Sequence, residues 1–182
     1  MADVDEFASL LLEEAKRFLE KADECDNDDE KRADLHASLL LAFCALDAHI
    51  NAIAMDFENR KETFSPHDRS VLFEYDVQLD DGQFVSRETV LKMWRLQERI
   101  QFLHRRLSGK VVDKSASWWS ELDTAIDLRN KLTHPKAVPT ISIEKVSRAV
   151  QAVIDTLSAL YLAVYRAKFP AANRGLLSDL NF

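Results

Sequence analysis

Three glycines in 182 residues leave little material for sheet turns or for loops that cradle phosphate. Prolines number only four, so the composition leans helical before any pattern is considered. There is no GxGxxG fingerprint, no phosphate loop and no GxSxG elbow, which excludes the common dinucleotide, NTPase and hydrolase frames. Cysteine is scarce: Cys25 and Cys44 both fall in helical sequence with no CxxC spacing, as expected of reduced thiols in a cytoplasmic protein. No uncharged apolar run approaches the roughly 18 residues of a membrane span, so no membrane contact is expected. The acidic start at Asp3, Asp5 and Glu6 is the reverse of a targeting peptide. None of the five histidines has a glutamate three residues before it, and HExxH is absent. The sequence therefore offers no di-iron or zinc ligand set, and no metal or cofactor is expected.

What the sequence does have is charge, unevenly placed. The net charge of −7 argues against broad, sequence-independent nucleic-acid binding. Residues 1–60 carry 16 acidic against 6 basic side chains. Residues 92–114 instead carry Lys92, Arg95, Arg99, Arg105, Arg106, Lys110 and Lys114 against Glu98 and Asp113. Such a stripe attracts phosphate even on an acidic protein, although solvated helix faces look the same. No segment fits a basic recognition helix after a tight glycine turn.

Helical periodicity covers most of the chain. A first helix is expected from Asp3 to Glu24, with Phe7, Leu10, Leu11, Ala15, Phe18 and Leu19 on one face. The second, Asp28 to Phe57, follows an acidic break and is apolar on most sides around Leu39 to Ile53, which marks the central helix of a bundle. Ser65-Pro66 opens a shorter helix to about Leu79, and Asp80-Asp81-Gly82 makes a turn. Further helices are expected from Arg87 to Leu107, capped by Ser86, from Ser115 or Ser117 to the Arg129 region, and from Ser142 to Phe169. The expected fold is all-α: an up-and-down bundle of about five long helices plus one short one, irregular near residues 58–86. It forms one domain over residues 1–169, followed by a polar, loosely ordered C-terminal tail at 170–182.

One stretch carries chemistry, Arg129-Asn130-Lys131-Leu132-Thr133-His134. An arginine and a histidine separated by four residues are common by chance. Arg99 and His104 repeat the spacing, and Arg60 and His67 fit a looser version. Context separates the three. Arg99 and His104 lie within a helix, about 140° apart on different faces. Arg60 to His67 crosses a loop. Only Arg129 to His134 straddles a helix end, because Pro135 disfavours helical geometry at His134. A chain leaving the helix there is free to swing His134 back toward Arg129. The negative end of the helix dipole and the opposing cations Lys131, Lys136 and Arg129 both act on His134, a candidate for giving or taking a proton.

The stretch resembles the R-x(4–6)-H motif of the HEPN superfamily, small helical domains many of which are ribonucleases. Asn130 after the arginine agrees with many members, and the bundle agrees in outline. The resemblance implies a metal-independent endoribonuclease acting through the RNA 2′-hydroxyl to leave a 2′,3′-cyclic phosphate. It implies a homodimer with both motifs at a shared cleft, often in toxin or defence systems with an antitoxin protein as partner. Arg129 would bind phosphate, His134 would transfer a proton and Asn130 would orient them. Lys131, Lys136, Arg105 and Arg106 are the candidate RNA contacts. Asp47, with Asn51 one turn on, is the candidate supporting pair on an earlier helix. A non-catalytic helical module binding a protein partner or a nucleotide is the alternative.

Overall fold

The computed structural model describes residues 4–182; Asp3, the expected start of the first helix, lies outside them. Helix α1 spans Val4–Glu24 and α2 spans Asp28–Met55. The side chain of Asn27 starts α2 by accepting the backbone N–H of Asp29 and of Glu30, at 2.9 and 3.3 Å. After a 3₁₀ segment at Glu58–Thr63, α3 runs Pro66–Phe73. Ser65 and Asp68 close a reciprocal capping box at its start. Strands β1 (Tyr75–Asp80) and β2 (Gln83–Leu91) form one antiparallel hairpin. Helices α4 (Leu96–Ser108), α5 (Ser117–Thr133) and α6 (Ile143–Tyr165) complete the bundle, and a second 3₁₀ turn follows at Pro170–Arg174.

The molecule is therefore mostly helical with a small two-stranded sheet, and the all-α expectation holds only coarsely. The helix expected from Arg87 is strand to Leu91, and α3 stops at Phe73 instead of Leu79. The reason is local. Asp81 and Gly82 both take positive φ, 44° and 80°, the two-residue turn whose twist matches a hairpin. Tyr75, Val77, Phe84, Val85, Thr89 and Val90 supply residues that favour strands. Glu74, left-handed at φ 56°, ends α3 and turns the chain into β1.

Helix α2 is long and apolar enough to cross a membrane. Its Leu39, Leu46, Ile50 and Ile53 are instead buried, packed among α1, α3, α4, α5 and α6. The core continues through Leu12, Ile100, Leu103, Leu122, Val150, Ile154 and Leu157. The segment after Pro170 docks onto α1. Arg174 pairs with Glu13 at 2.6 Å, the Ser178 hydroxyl donates to the Glu13 carbonyl, and the Phe182 ring meets Phe18 edge-on.

His49 on α2 is fully buried, its Nδ1 3.3 Å from Asp5 of α1 and its ring edge-on to Tyr161 and Phe169. Burial holds its pKa below the ordinary 6.5, against the pull of Asp5. A depressed histidine stabilises fully above its unfolded value, and that contribution is lost as pH falls through the folded one. Denaturation midpoints should therefore fall as pH drops below about 6.5, and His49→Leu should flatten that slope. An unchanged slope in His49→Leu would refute the assignment.

Candidate functional site

Helix α5 buries Trp119, Leu122, Ala125 and Ile126 against the bundle, with Trp118 and Trp119 edge-to-face at 5.6 Å. This packing fixes the rotation of the helix and so the direction of each residue in its last turn. The helix ends at His134, which leaves helical geometry with φ −130° and ψ 61°, as the following proline demands. The His134 backbone N–H still donates to the Asn130 carbonyl at 2.9 Å. Thr133 Oγ1 donates back to the Arg129 carbonyl at 3.1 Å, so the turn is tightly closed.

Two cavities flank this turn. The first, about 580 Å³, lies between α2, α4 and α5 and is lined by Asp47, Asn51, Glu74, Trp94, Arg99 and Arg129, among others. The second, about 820 Å³, lies between α5, the 134–142 connection and the start of α6, and His134, Lys131 and Lys136 line it. Asn130 borders both.

In the first cavity the Arg129 guanidinium sits 5.2 Å over the Phe43 ring, a cation–π arrangement that holds it in place. Its Nε is buried without a hydrogen-bond partner, and no carboxylate lies within ion-pair distance of it among the described residues. Arg99 is different. It is 4% exposed, donates to Asn51 Oδ1 at 2.8 Å and to the Leu72 carbonyl at 3.2 Å, and pairs with Glu74 at 3.4 Å. Burial lowers the Arg99 pKa, opposed by Glu74 and Asp47. Asp47 reaches solvent at the cavity mouth, yet the surrounding protein displaces enough water to push its carboxyl up. Arg99 and Arg129 pull the other way, and Glu74 adds to the rise. An arginine, a carboxyl with raised affinity for a proton and an amide thus face one space.

The structure puts Asp47 and Asn51 beside Arg129, and Lys131 and Lys136 beside His134. It does not bring Arg129 and His134 into one cavity within a single chain. The expected swing of His134 toward Arg129 is replaced by a turn toward α6. Arg105 and Arg106 line neither cavity. Arg106 is engaged by Asp68 at 3.6 Å and by the Phe64 ring, and Arg105 is exposed on the last turn of α4. The basic stripe is dispersed further, because Arg99 is buried and Lys92 lies 4.9 Å over the Trp94 ring.

Sequence reasoning missed Arg99 and Glu74 in the first cavity and Lys145 and Arg148 in the second. Only the position of Arg99 beside Ile100 and four residues before Leu103, on the buried side of α4, carried a signal. Among the described residues no three His, Cys, Asp or Glu side chains cluster as a metal ion would require. Cys25 and Cys44 are free and line neither cavity. No family model, no curated protein and no solved structure matches the chain.

Proposed function

We propose that this chain is a metal-independent endoribonuclease of the HEPN type, working as a homodimer. The observation that supports the reading is an arginine held in place without a carboxylate at ion-pair distance, five residues before an exposed imidazole at a helix end. A guanidinium so placed is available to a phosphate, which it grips through paired N–H donors. His134 accepts the proton of a ribose 2′-hydroxyl. The 2′-oxygen attacks phosphorus, the bond to the 5′-oxygen breaks, and that oxygen leaves with a proton from a second imidazole or water. The products are a 2′,3′-cyclic phosphate end and a 5′-hydroxyl end, with no redox change. Arg129 stabilises the charge that builds on the phosphate. Asn130, bordering both cavities, orients the group being cut.

A dimer supplies what one chain lacks, since Arg129 of one copy and His134 of the other then face a common strand. Such an enzyme acts where cellular RNA is, in the cytoplasm, and fits a toxin or defence effector restrained by an antitoxin protein. Purified protein incubated with labelled RNA and EDTA should cut it. His134→Ala should lower the rate by about 10²–10⁴-fold, the usual contribution of a positioned proton-transfer group. Undiminished cutting by His134→Ala would end the proposal. Growth arrest on expression, relieved by the same substitution, is the cellular counterpart.

The division of Arg129 and His134 between two cavities favours one second reading, a non-catalytic HEPN-like module that binds a nucleotide or a protein partner. RNA bound but never cut, with His134→Ala behaving as the parent protein, is the outcome that selects it.

A further inference from the structure

The larger cavity holds more than the histidine. Four cations line it: Lys131 and Lys136 from the end of α5 and its connection, and Lys145 and Arg148 from the first turns of α6. Among the described residues none of the four has a carboxylate within ion-pair distance, although Glu121 and Asp127 line the same space. Other cations without an ion pair among the described residues, such as Arg105, Arg166 and Lys168, lie outside this cavity, so what distinguishes the four is their convergence on one recess. Lys145 and Arg148 are oriented by backbone acceptors; the Glu144 carboxylate feels the Arg148 charge but forms no ion pair with it. Lys145 Nζ donates to the Thr140 carbonyl at 2.9 Å and Arg148 Nε to the Glu144 carbonyl at 3.3 Å. Both Nη groups of Arg148 stay available for a phosphate fork.

The four cations are exposed, the buried part of the lining is Ala125 and Ala149, and apolar side chains flank the charges. Val138 is 95% exposed and stands beside Ala137 and Pro139 on the connection. A phosphate on the cations would place its neighbouring base or sugar against these side chains. The volume, about 820 Å³, suits one or two nucleotides of a single strand. A duplex, with its bases stacked inside and its two backbones far apart, has no way into a recess of that size.

We propose that the α5–α6 cavity binds the sugar–phosphate backbone of an unpaired RNA strand beside the cut, with Lys145 and Arg148 as its principal contacts. This rests on the ribonuclease reading, because it is that reading which makes RNA the polyanion and His134, on the same cavity, the neighbouring reactive group.

The test separates binding from cutting. A fluorescent single-stranded oligonucleotide with every 2′-hydroxyl methylated is inert to this chemistry, and its anisotropy reports binding to the full chain. The double variant Lys145→Gln with Arg148→Gln should weaken binding about tenfold at low salt. It should also reduce the slope of log K against log salt by about 1.4, or about 0.7 for each phosphate no longer neutralised. Lys145→Arg with Arg148→Lys keeps the charge and should bind nearly as the parent does, which excludes loss of fold as the cause. Arg166→Gln with Lys168→Gln removes two charges at the far end of α6 and should leave affinity unchanged. Equal losses in the two Gln pairs, or no loss in the first, overturn the inference. A matched duplex binding as tightly as the single strand also overturns it. Cutting of unmodified RNA by a protein whose Lys145 and Arg148 prove dispensable would remove this site and leave the ribonuclease standing. Tight binding of the methylated strand with no cutting of the unmodified one would do the reverse.

Discussion

Mixing the Arg129→Ala protein with the His134→Ala protein restores RNA cleavage that neither performs alone. Within one chain the two side chains open onto different cavities, with Asn130 between them. If a working site takes Arg129 from one copy and His134 from the other, each mixed dimer contains one intact pair. Random exchange makes about half of the dimers mixed, and each has one site of two, so about a quarter of the parent activity should return in a two-fold symmetric assembly. The measurement is the initial rate on labelled RNA as the ratio of the two proteins is varied, with a maximum at equal amounts. A flat, inactive series would place both groups in one protomer, and would require the α5 terminus to rearrange when RNA binds.

Glu13→Ala costs about 3–5 kcal/mol of stability, the usual result of stripping one partner from a buried ion pair. Lys16 is fully buried on α1, and Glu13, one turn before it, accepts from its ammonium at 3.0 Å. Glu13 also receives Arg174 at 2.6 Å and the Asp179 backbone N–H at 3.0 Å. Burial pushes the Glu13 carboxyl up, but the hydrogen bonds from Arg174, Lys16 and Asp179 outweigh it and hold the group below 4.5. That stabilisation is complete above the unfolded value and fades as pH falls through the folded one. Without the carboxylate, Lys16 is left charged in an apolar place and the 170–182 segment loses its main anchor. Denaturant midpoints should show the loss, and proteolysis should open the tail first. Adding Lys16→Met should recover most of the stability while leaving the tail detached, because an apolar side chain needs no partner. If the single variant is as stable as the parent, the pair carries no such weight.

Much of the bundle was legible along the chain. Helical periodicity is a local property, and capping residues mark its ends: Asn27 before α2, Ser65-Pro66 before α3 and Pro135 after α5 each act on the few residues beside them. The hairpin was half legible. Its turn, Asp81-Gly82, stood out, but no residue of either strand is buried, and β2 extends through Arg87 and Glu88, which suit a helix equally well. The apolar length of α2 also told its place, at the centre of the packing.

The candidate site divided along the same line. The sequence by itself determined that an arginine, an asparagine and a histidine stand at the end of a helix that a proline closes. It determined too that Asp47 and Asn51 share one face of α2. Only the tertiary structure decided which way each side chain faces. Residues in a helix step by about 100°, so the core contacts of Trp119, Leu122 and Ile126 set the direction in which Arg129 leaves the helix. They turned it toward α2, while the backbone after Thr133 carried His134 toward α6. The partners of Arg99, the burial of Lys16 and the meeting of Lys145 and Arg148 with Lys131 and Lys136 likewise join residues distant along the chain or hidden by packing. No local pattern records such pairings, because they form only when separate helices come to lie against one another.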